Sequence, residues 1–283
     1  MSAKFDVNVN APLPVSLLVL TYNEADRIAR CLDSVPFAQD KLVVDCGSTD
    51  ATVQIAKAHG ARVVHQPWLG FGPQRRAATR LARHPWILFL DADEWLSPEL
   101  AREMALRLPQ LMATEFAGAF LRRSAWFMGA RMHWYRPLAR ERIERLYHRD
   151  RAQWTEASVH EALQFQAPAI DLRAPLLHAY TPTLLQRAIK DLYYAELRAR
   201  EWTAQGRPSR LWLAPLVFVT TFLKDYLLRL AVLDGARGYI AAQLAASYAV
   251  YKRMRHHEMR VYPESVELGR EALVRHGIER SPL

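Results

Sequence analysis

The sequence predicts an α/β chain built on a doubly wound, mostly parallel sheet with flanking helices, continued by a helical C-terminal region. Over the first hundred residues, short apolar runs rich in β-branched side chains alternate with stretches of helical period. Three of those runs end in acids and small polar residues, at the strand ends where open α/β sheets hold their ligands. From Leu184 onward the pattern is helical nearly to the end.

Val15 to Leu20 is a short apolar run closed by the polar Thr21-Tyr22-Asn23-Glu24, which reads as a buried strand. Ile28, Cys31, Leu32 and Val35 then recur at helical spacing, with Asn23 placed to cap that helix. Leu42 to Val44 is a second strand. The polar turn Asp45 to Asp50 follows it and opens a helix that Gly60 ends. Val63-Val64 is a third strand, and Gly70 to Arg76 is a flexible turn leading into a helix. Trp86 to Leu90 is a fourth strand, and Ser97-Pro98-Glu99 reads as a cap, a first-turn proline and a first-turn acid. Between about residues 115 and 180 the segments become short and irregular, with many aromatic residues and arginines. Leu146-Tyr147, Val159 to Phe165 and Ile170 to Leu177 read there as strands of a smaller mixed element. Trp126, Trp134 and Trp154 are read first as core, with stacking on sugar faces as the alternative.

Composition sets limits on function. Eight Trp, eleven Tyr and ten Phe in 283 residues need a core, which excludes disorder as the main state. The two cysteines, Cys31 and Cys46, build no disulfide framework, so a reducing compartment is expected. A net charge of +9 points to a polyanionic partner: nucleic acid, anionic lipid or the phosphates of a sugar nucleotide. No cleavable signal is expected at the N-terminus, because the apolar run there lacks a basic flank. Arg207 to Arg260 holds nine Lys/Arg against three Asp/Glu, interleaved with two 13-residue apolar runs, Leu211 to Leu223 and Gly238 to Val250. Neither run reaches the roughly 20 residues needed to cross a bilayer, so the segment is expected to lie in the membrane interface, with packing on protein as the alternative. The charge sits beside apolar runs and in no recognisable nucleic-acid module, so no nucleic-acid partner is expected. A P-loop is missing, and the place after the first strand lacks the Gly-rich basic loop of a sugar-1-phosphate nucleotidyltransferase.

Asp91-Ala92-Asp93-Glu94 follows directly on the fourth strand. Carboxylates at i and i+2 on a strand end can share one hard divalent cation, and such an ion steadies a departing diphosphate. Asp45 is read as accepting hydrogen bonds from a base edge, with Gly47 permitting the tight turn beside it. One of Arg75 and Arg76 is read as a phosphate partner and the other as a solvated surface charge, and the sequence does not say which.

These residues carry a resemblance. Pro14 to Leu100 is similar to the nucleotide-binding half of a family 2 glycosyltransferase of the GT-A fold, a Rossmann-like arrangement. The matching residues are Thr21-Tyr22-Asn23-Glu24, Val44-Asp45-Cys46-Gly47-Ser48-Thr49-Asp50 and Leu90-Asp91-Ala92-Asp93-Glu94. The family usually has a second Asp where Cys46 stands. The resemblance implies a donor site lined by Thr21, Tyr22, Asn23, Glu24, Asp45, Gly47, Arg75, Arg76, Asp91 and Ala92, with Mg2+ or Mn2+ on Asp91 and Asp93. Ser158-Val159-His160-Glu161-Ala162-Leu163, Leu176-Leu177-His178 and the basic apolar C-terminal region resemble the lipopolysaccharide core β-1,4-glucosyltransferase subgroup. That likeness implies inverting transfer of a hexose, glucose first, from a UDP-sugar to an inner-core heptose, a lipid-linked acceptor, at the cytoplasmic face of the inner membrane. It divides the chain into a nucleotide-sugar half (1–115), an acceptor half (116–183) and a helical region on the membrane surface (184–283). Deprotonation of the acceptor hydroxyl is assigned to Glu161, with Glu94 as the alternative base. His160 and His178 are read as completing the metal shell, binding acceptor, or serving structure.

Overall fold

A computed structural model describes residues 8–139, 141–155, 162–181 and 183–275. The chain forms two compact units. Of the described residues, one comprises 8–124, 141–155 and 162–178, and the other 125–139, 179–181 and 183–275. The segment expected as one acceptor half is thus shared between them.

The first unit is organised by β1 (Leu13–Thr21), which is buried along most of its length because Val15 to Leu20 present apolar groups to both faces. It pairs in parallel with β2 (Ala38–Asp45) on one side and with β4 (Trp86–Asp91) on the other, and β3 (Arg62–His65) adds beyond β2. The helices α1 (Ile28–Asp33), α2 (Thr52–Ala58) and α3 (Phe71–Leu81) connect these strands. Ser97 caps α4 (Pro98–Met112) by accepting from the Leu100 amide at 3.1 Å, as its sequence predicts. Gly60, at φ +78°, ends α2 as expected. Asn23 does not cap α1. It sits in left-handed backbone at φ +56°, and its side chain accepts from the Thr49 amide at 2.8 Å instead.

The strands beyond residue 115 do not form a separate small element. β8 (Glu141–His148) pairs antiparallel with β4, and β6 (Gly118–Phe127) with β8. β11 (Ala169–Thr181) lies beyond β6 and pairs antiparallel with β5 (Glu94–Leu96). The sheet order is therefore β3-β2-β1-β4-β8-β6-β11-β5, a parallel half continued by an antiparallel one. Among the described residues, β9 (Ala152–Trp154) and β10 (Leu163–Phe165) stand apart as a two-stranded ribbon. Two apolar layers cover the sheet. One is built on Leu17, Ile28, Leu32 and Leu88, the other on Leu18, Ile87, Phe89 and Trp154.

The second unit holds β7 (Ala130–Arg131), α5 (Arg136–Ala139), α6 (Leu184–Ala204), α7 (Ala214–Leu223), α8 (Gly235–Val261) and α9 (Ser265–Arg275). Its core gathers Phe127, Met132, Tyr135, Leu138, Ala231 and Ala242. Asp234 accepts from the amides of His133, Trp134 and Tyr135, and Arg255 joins α8 to α6 through Glu196 at 2.5 Å. The first apolar run does not stop at Leu223. Helical backbone continues through Leu228, making one segment, Leu211–Leu228, that is long and apolar enough by length and composition to cross a membrane. The extension is possible because Asp225 is buried against the Tyr135 hydroxyl and Arg229, at 2.9 Å each, while Lys224 stays exposed.

Gly118 allows a close approach of β6 to β8. A Cβ there would stand 2.2 Å from the Leu146 carbonyl oxygen and 2.6 Å from Phe165. Gly118→Ala is expected to cost about 2 kcal/mol or more by overpacking, read as a lowered denaturant midpoint at unchanged slope.

Candidate active site

Thr21, Asp45 and Asp91 end three adjacent parallel strands, and the pairing register places Thr21 opposite Asp45 and Leu20 opposite Asp91. The strand order reverses at β1, so these ends flank the crevice in which doubly wound sheets bind ligands.

On one side of this crevice, two loops are stitched together. Asn23 donates its amide to the Ser48 hydroxyl (2.9 Å), Glu24 to the Thr52 hydroxyl (2.8 Å) and Ala25 to the Asp50 carboxylate (3.1 Å). Asp45 is buried and accepts from the Gly47 and Ser48 amides at 2.9 Å, the Ser48 hydroxyl, and the Thr21 hydroxyl at 3.2 Å. Four donors match the four lone-pair sites of a carboxylate, so Asp45 shapes this turn. Gly47 is required there by its φ of +104°. Tyr22 is half-buried, and Ala92 is buried between the two acids of the neighbouring motif.

On the other side lies a cluster of opposite charges. Arg145, buried on β8, donates to Asp91 Oδ2 (2.5 Å) and to both oxygens of Glu94 (2.8 and 2.9 Å). Glu94 is 0 % exposed and also accepts from Arg123 (3.0 Å) and the Asp91 amide (3.2 Å). Arg75 lies 3.7 Å from Asp91 Oδ1, its guanidinium 4.7 Å from the ring centres of both Phe89 and Trp154. Burial pushes the Asp91 carboxyl up, but Arg145, Arg75 and Arg123 more than reverse this and hold it at about 2. Asp93 meets His178 Nε2 at 3.1 Å, because the β11–β5 pairing sets His178 opposite Glu94. Cys31, beneath the motif, is pushed well above the ordinary thiol value by burial and by the Glu94, Asp93 and Asp91 carboxylates, which keeps it a neutral thiol.

The structure thus brings together Asp91, Asp93, Glu94, Arg75 and His178, with Thr21, Asn23, Glu24, Asp45 and Gly47 at the adjoining strand ends. It separates the two arginines of α3. Arg75 faces the acids, while Arg76 is not a solvated charge but donates to the Thr155 carbonyl at 2.8 Å. Glu94 lies inside the cluster with no exposed surface. Glu161 and His160 lie outside the described residues. Trp154 is core, whereas Trp126 and Trp134 are exposed. Arg145 and Arg123 escaped the sequence reading. Arg145 stands just before the apolar Leu146-Tyr147 in a strand that also carries Glu141, Arg142 and Glu144, so nothing local marks it out.

The donor set at the end of β4 suits a hard divalent cation. Asp93 meets the His178 imidazole there, two residues from Asp91, and Mg2+ or Mn2+ commonly takes one or two carboxylates and completes its shell with phosphate oxygens and water. Among the described residues no group of three or more such side chains is placed to hold a metal ion by itself.

A parallel half with paired acids at its switch-point strand, continued by antiparallel strands, is the GT-A-type arrangement of glycosyltransferases. The chain belongs to glycosyl transferase family 2, whose family model matches residues 16–167. It is a glycosyltransferase. It is 28% identical over 237 residues, 80% of each chain, to an uncharacterized glycosyltransferase of Rickettsia prowazekii. It is 27% identical over 252 residues, 84% of this chain and 89% of the other, to the lipopolysaccharide core biosynthesis glycosyltransferase LpsC of Rhizobium meliloti. The fold is shared with the mannosyltransferase PcManGT of Pyrobaculum calidifontis, solved with GDP-Man and Mn2+, at a TM-score of 0.51 and 14% identity over 87% of this chain and 89% of that one.

Removing Arg145 leaves Glu94 buried with one fewer partner. Arg145→Met is expected to cost about 3 kcal/mol in equilibrium unfolding. The Asp91 carboxyl titrates at about 2 in the folded chain against an ordinary 3.8, so its pairing stabilises fully above about pH 4 and is lost as pH falls toward 2. Acid unfolding of Arg145→Met should therefore begin at higher pH than that of the wild type.

Proposed function

We propose that the enzyme transfers a hexose, glucose first, from a UDP-sugar to an inner-core heptose of lipopolysaccharide, with inversion, at the cytoplasmic face of the inner membrane. The observation that carries the reading is the Asp91/Asp93 pair beside Arg75 at the switch-point crevice. The lipopolysaccharide-core relative supports the acceptor class. In this reading the loop Thr21 to Glu24, with the turn held by Asp45, recesses the uracil and ribose. A base edge reaching Asp45 takes the place of the Ser48 hydroxyl. Arg75 pairs with the diphosphate, which suits a planar guanidinium on an aromatic platform. Asp91 and Asp93, with His178, would hold Mg2+ or Mn2+, whose charge offsets that of the departing diphosphate. Arg145 keeps Asp91 ionised and aimed, and Glu94 anchors Arg145. Glu161 takes the acceptor proton; the family resemblance, not geometry, supports this assignment.

The helical unit provides membrane contact. Trp212, Leu216, Val219, Leu223 and Leu227 recur at helical spacing and are all exposed, Trp212 at 77%. We read this stripe as lying in the acyl boundary of an anionic leaflet, which brings the enzyme to its lipid-linked acceptor. Arg255 takes no part in lipid contact, being buried against Glu196, Glu258 and the Ser265 carbonyl.

A panel of sugar nucleotides assayed with Mg2+ or Mn2+ tests donor, metal and reaction together. UDP-glucose is expected to lead, and Asp93→Asn to abolish transfer while leaving the melting temperature unchanged. Full transfer by that variant, or by wild type in excess chelator, overturns the metal assignment. Glu161→Gln is expected to lower kcat by roughly 10²–10⁴, with the KM for donor little changed. If Glu94→Gln alone shows that pattern, the base is Glu94.

A further inference from the structure

A second concentration of charge lies in the helical unit, where α6 packs along α8. Three cations surround the indole of Trp202: Lys252 at 5.6 Å from the ring centre, Arg253 at 5.7 Å and Arg207 at 6.0 Å. Lys252 also lies 4.5 Å from the Tyr248 ring. The neighbouring carboxylates are committed elsewhere: Glu201 to Arg198, Glu196 to Arg200 and Arg255, Glu258 to Arg255, and Asp191 to Arg187. Among the described residues, none of Arg207, Lys224, Lys252 and Arg253 has an acidic partner within 4 Å. His256 closes the far side of the cluster, 5.8 Å from the same indole and 3 % exposed, with its Nε2 lacking a hydrogen-bond partner.

Such an arrangement is costly on its own. Burial and then Arg253, Arg198 and Lys224 all push the Lys252 ammonium below its ordinary value, and no carboxylate opposes them. Burial lowers Arg253 and His256 likewise. Like charges held this close around an aromatic platform, with no internal counter-ion, complement an external anion. The geometry selects among anions. Two guanidinium forks and a point-charge ammonium match the several acceptor oxygens of a phosphate better than a single carboxylate. Arg207 is exposed and Lys252 and Arg253 are half-buried, so the cluster is open to solvent on one side. Arg253 spends one N–H on the Ala249 carbonyl at 2.7 Å and keeps the others for a ligand.

We propose that Arg207, Lys252 and Arg253, ranged around Trp202, form a phosphate-binding site separate from the donor site. That its phosphate belongs to a membrane lipid or a lipid-linked saccharide rests on the membrane reading above; the site itself rests on the cation cluster alone.

The test uses the full chain, saturated with UDP and Mn2+ to fill the donor site. Equilibrium dialysis with inorganic phosphate reads the site directly, and co-sedimentation with phosphatidylcholine vesicles, with or without phosphatidic acid, reads the lipid source. A Lys252→Gln/Arg253→Gln variant is compared with a charge-matched Arg270→Gln/Arg275→Gln variant on α9. The first pair is expected to lose phosphate binding and to weaken binding to phosphatidic acid vesicles by about 30-fold, as two interfacial charges would. The second pair should change each far less. Equal weakening by both pairs, or no phosphate binding by wild type, overturns the site. Phosphate binding that depends on Lys252 and Arg253, in an enzyme indifferent to vesicles, upholds the site and overturns the membrane reading instead.

Discussion

The active-site half of the molecule depends on one buried cation. Arg145 lies on β8, with its guanidinium shared between Asp91 and Glu94. Without it, two carboxylates three residues apart would sit against each other with one of them entirely out of water, an arrangement that forces protonation or rearrangement. With it, and with Arg75 and Arg123, Asp91 remains ionised while burial works against it. Arg123 is shared with Glu141, so Asp91, Asp93, Glu94 and Glu141 stand against three arginines and the cluster keeps an excess of negative charge.

The sheet topology brings this about. The parallel half, β3-β2-β1-β4, leaves a crevice where the order reverses, and carries Thr21, Asp45 and Asp91 to its rim. That half brings only Arg75, on α3, to face its acids. The antiparallel half supplies the other two arginines and the imidazole: β8 brings Arg145 beside β4, β6 brings Arg123, and β11 sets His178 against β5 next to the acids. The site therefore forms at the seam between the halves, and neither half is sufficient for it.

Much of the parallel half is legible in the sequence, because its signals are local. Buried strands such as Val15 to Leu20, the Ser97-Pro98 helix start and the Gly60 stop are each written within a few residues. The acid motif is legible for the same reason. What escapes is whatever depends on pairing at long range. Nothing near Arg145 says that β8 joins β4, so one arginine among the several charges of β8 looks like an edge residue rather than the centre of a charge cluster. Asn23 is a plausible cap by type, yet the loop after β2 captures its side chain. Arg75 and Arg76 are adjacent, and only the packing of α3 against Trp154 and Thr155 tells them apart. The helical run past Leu223 was hidden by Lys224-Asp225, a charged break in sequence that Tyr135 and Arg229 absorb in space.

The central claim is that the Arg145-braced acids receive a metal ion and a sugar-nucleotide diphosphate. A crystal structure of the enzyme with UDP and Mn2+ tests it most directly. The account predicts an ion about 2.1 Å from an Asp93 carboxylate oxygen, a distance usual for such cations, with a diphosphate oxygen as a further ligand and Arg75 beside the diphosphate. The Arg145 contacts to Asp91 and Glu94 should be unchanged. UDP bound with Asp93 and Arg75 untouched, or a metal ion held elsewhere in the chain, would contradict it.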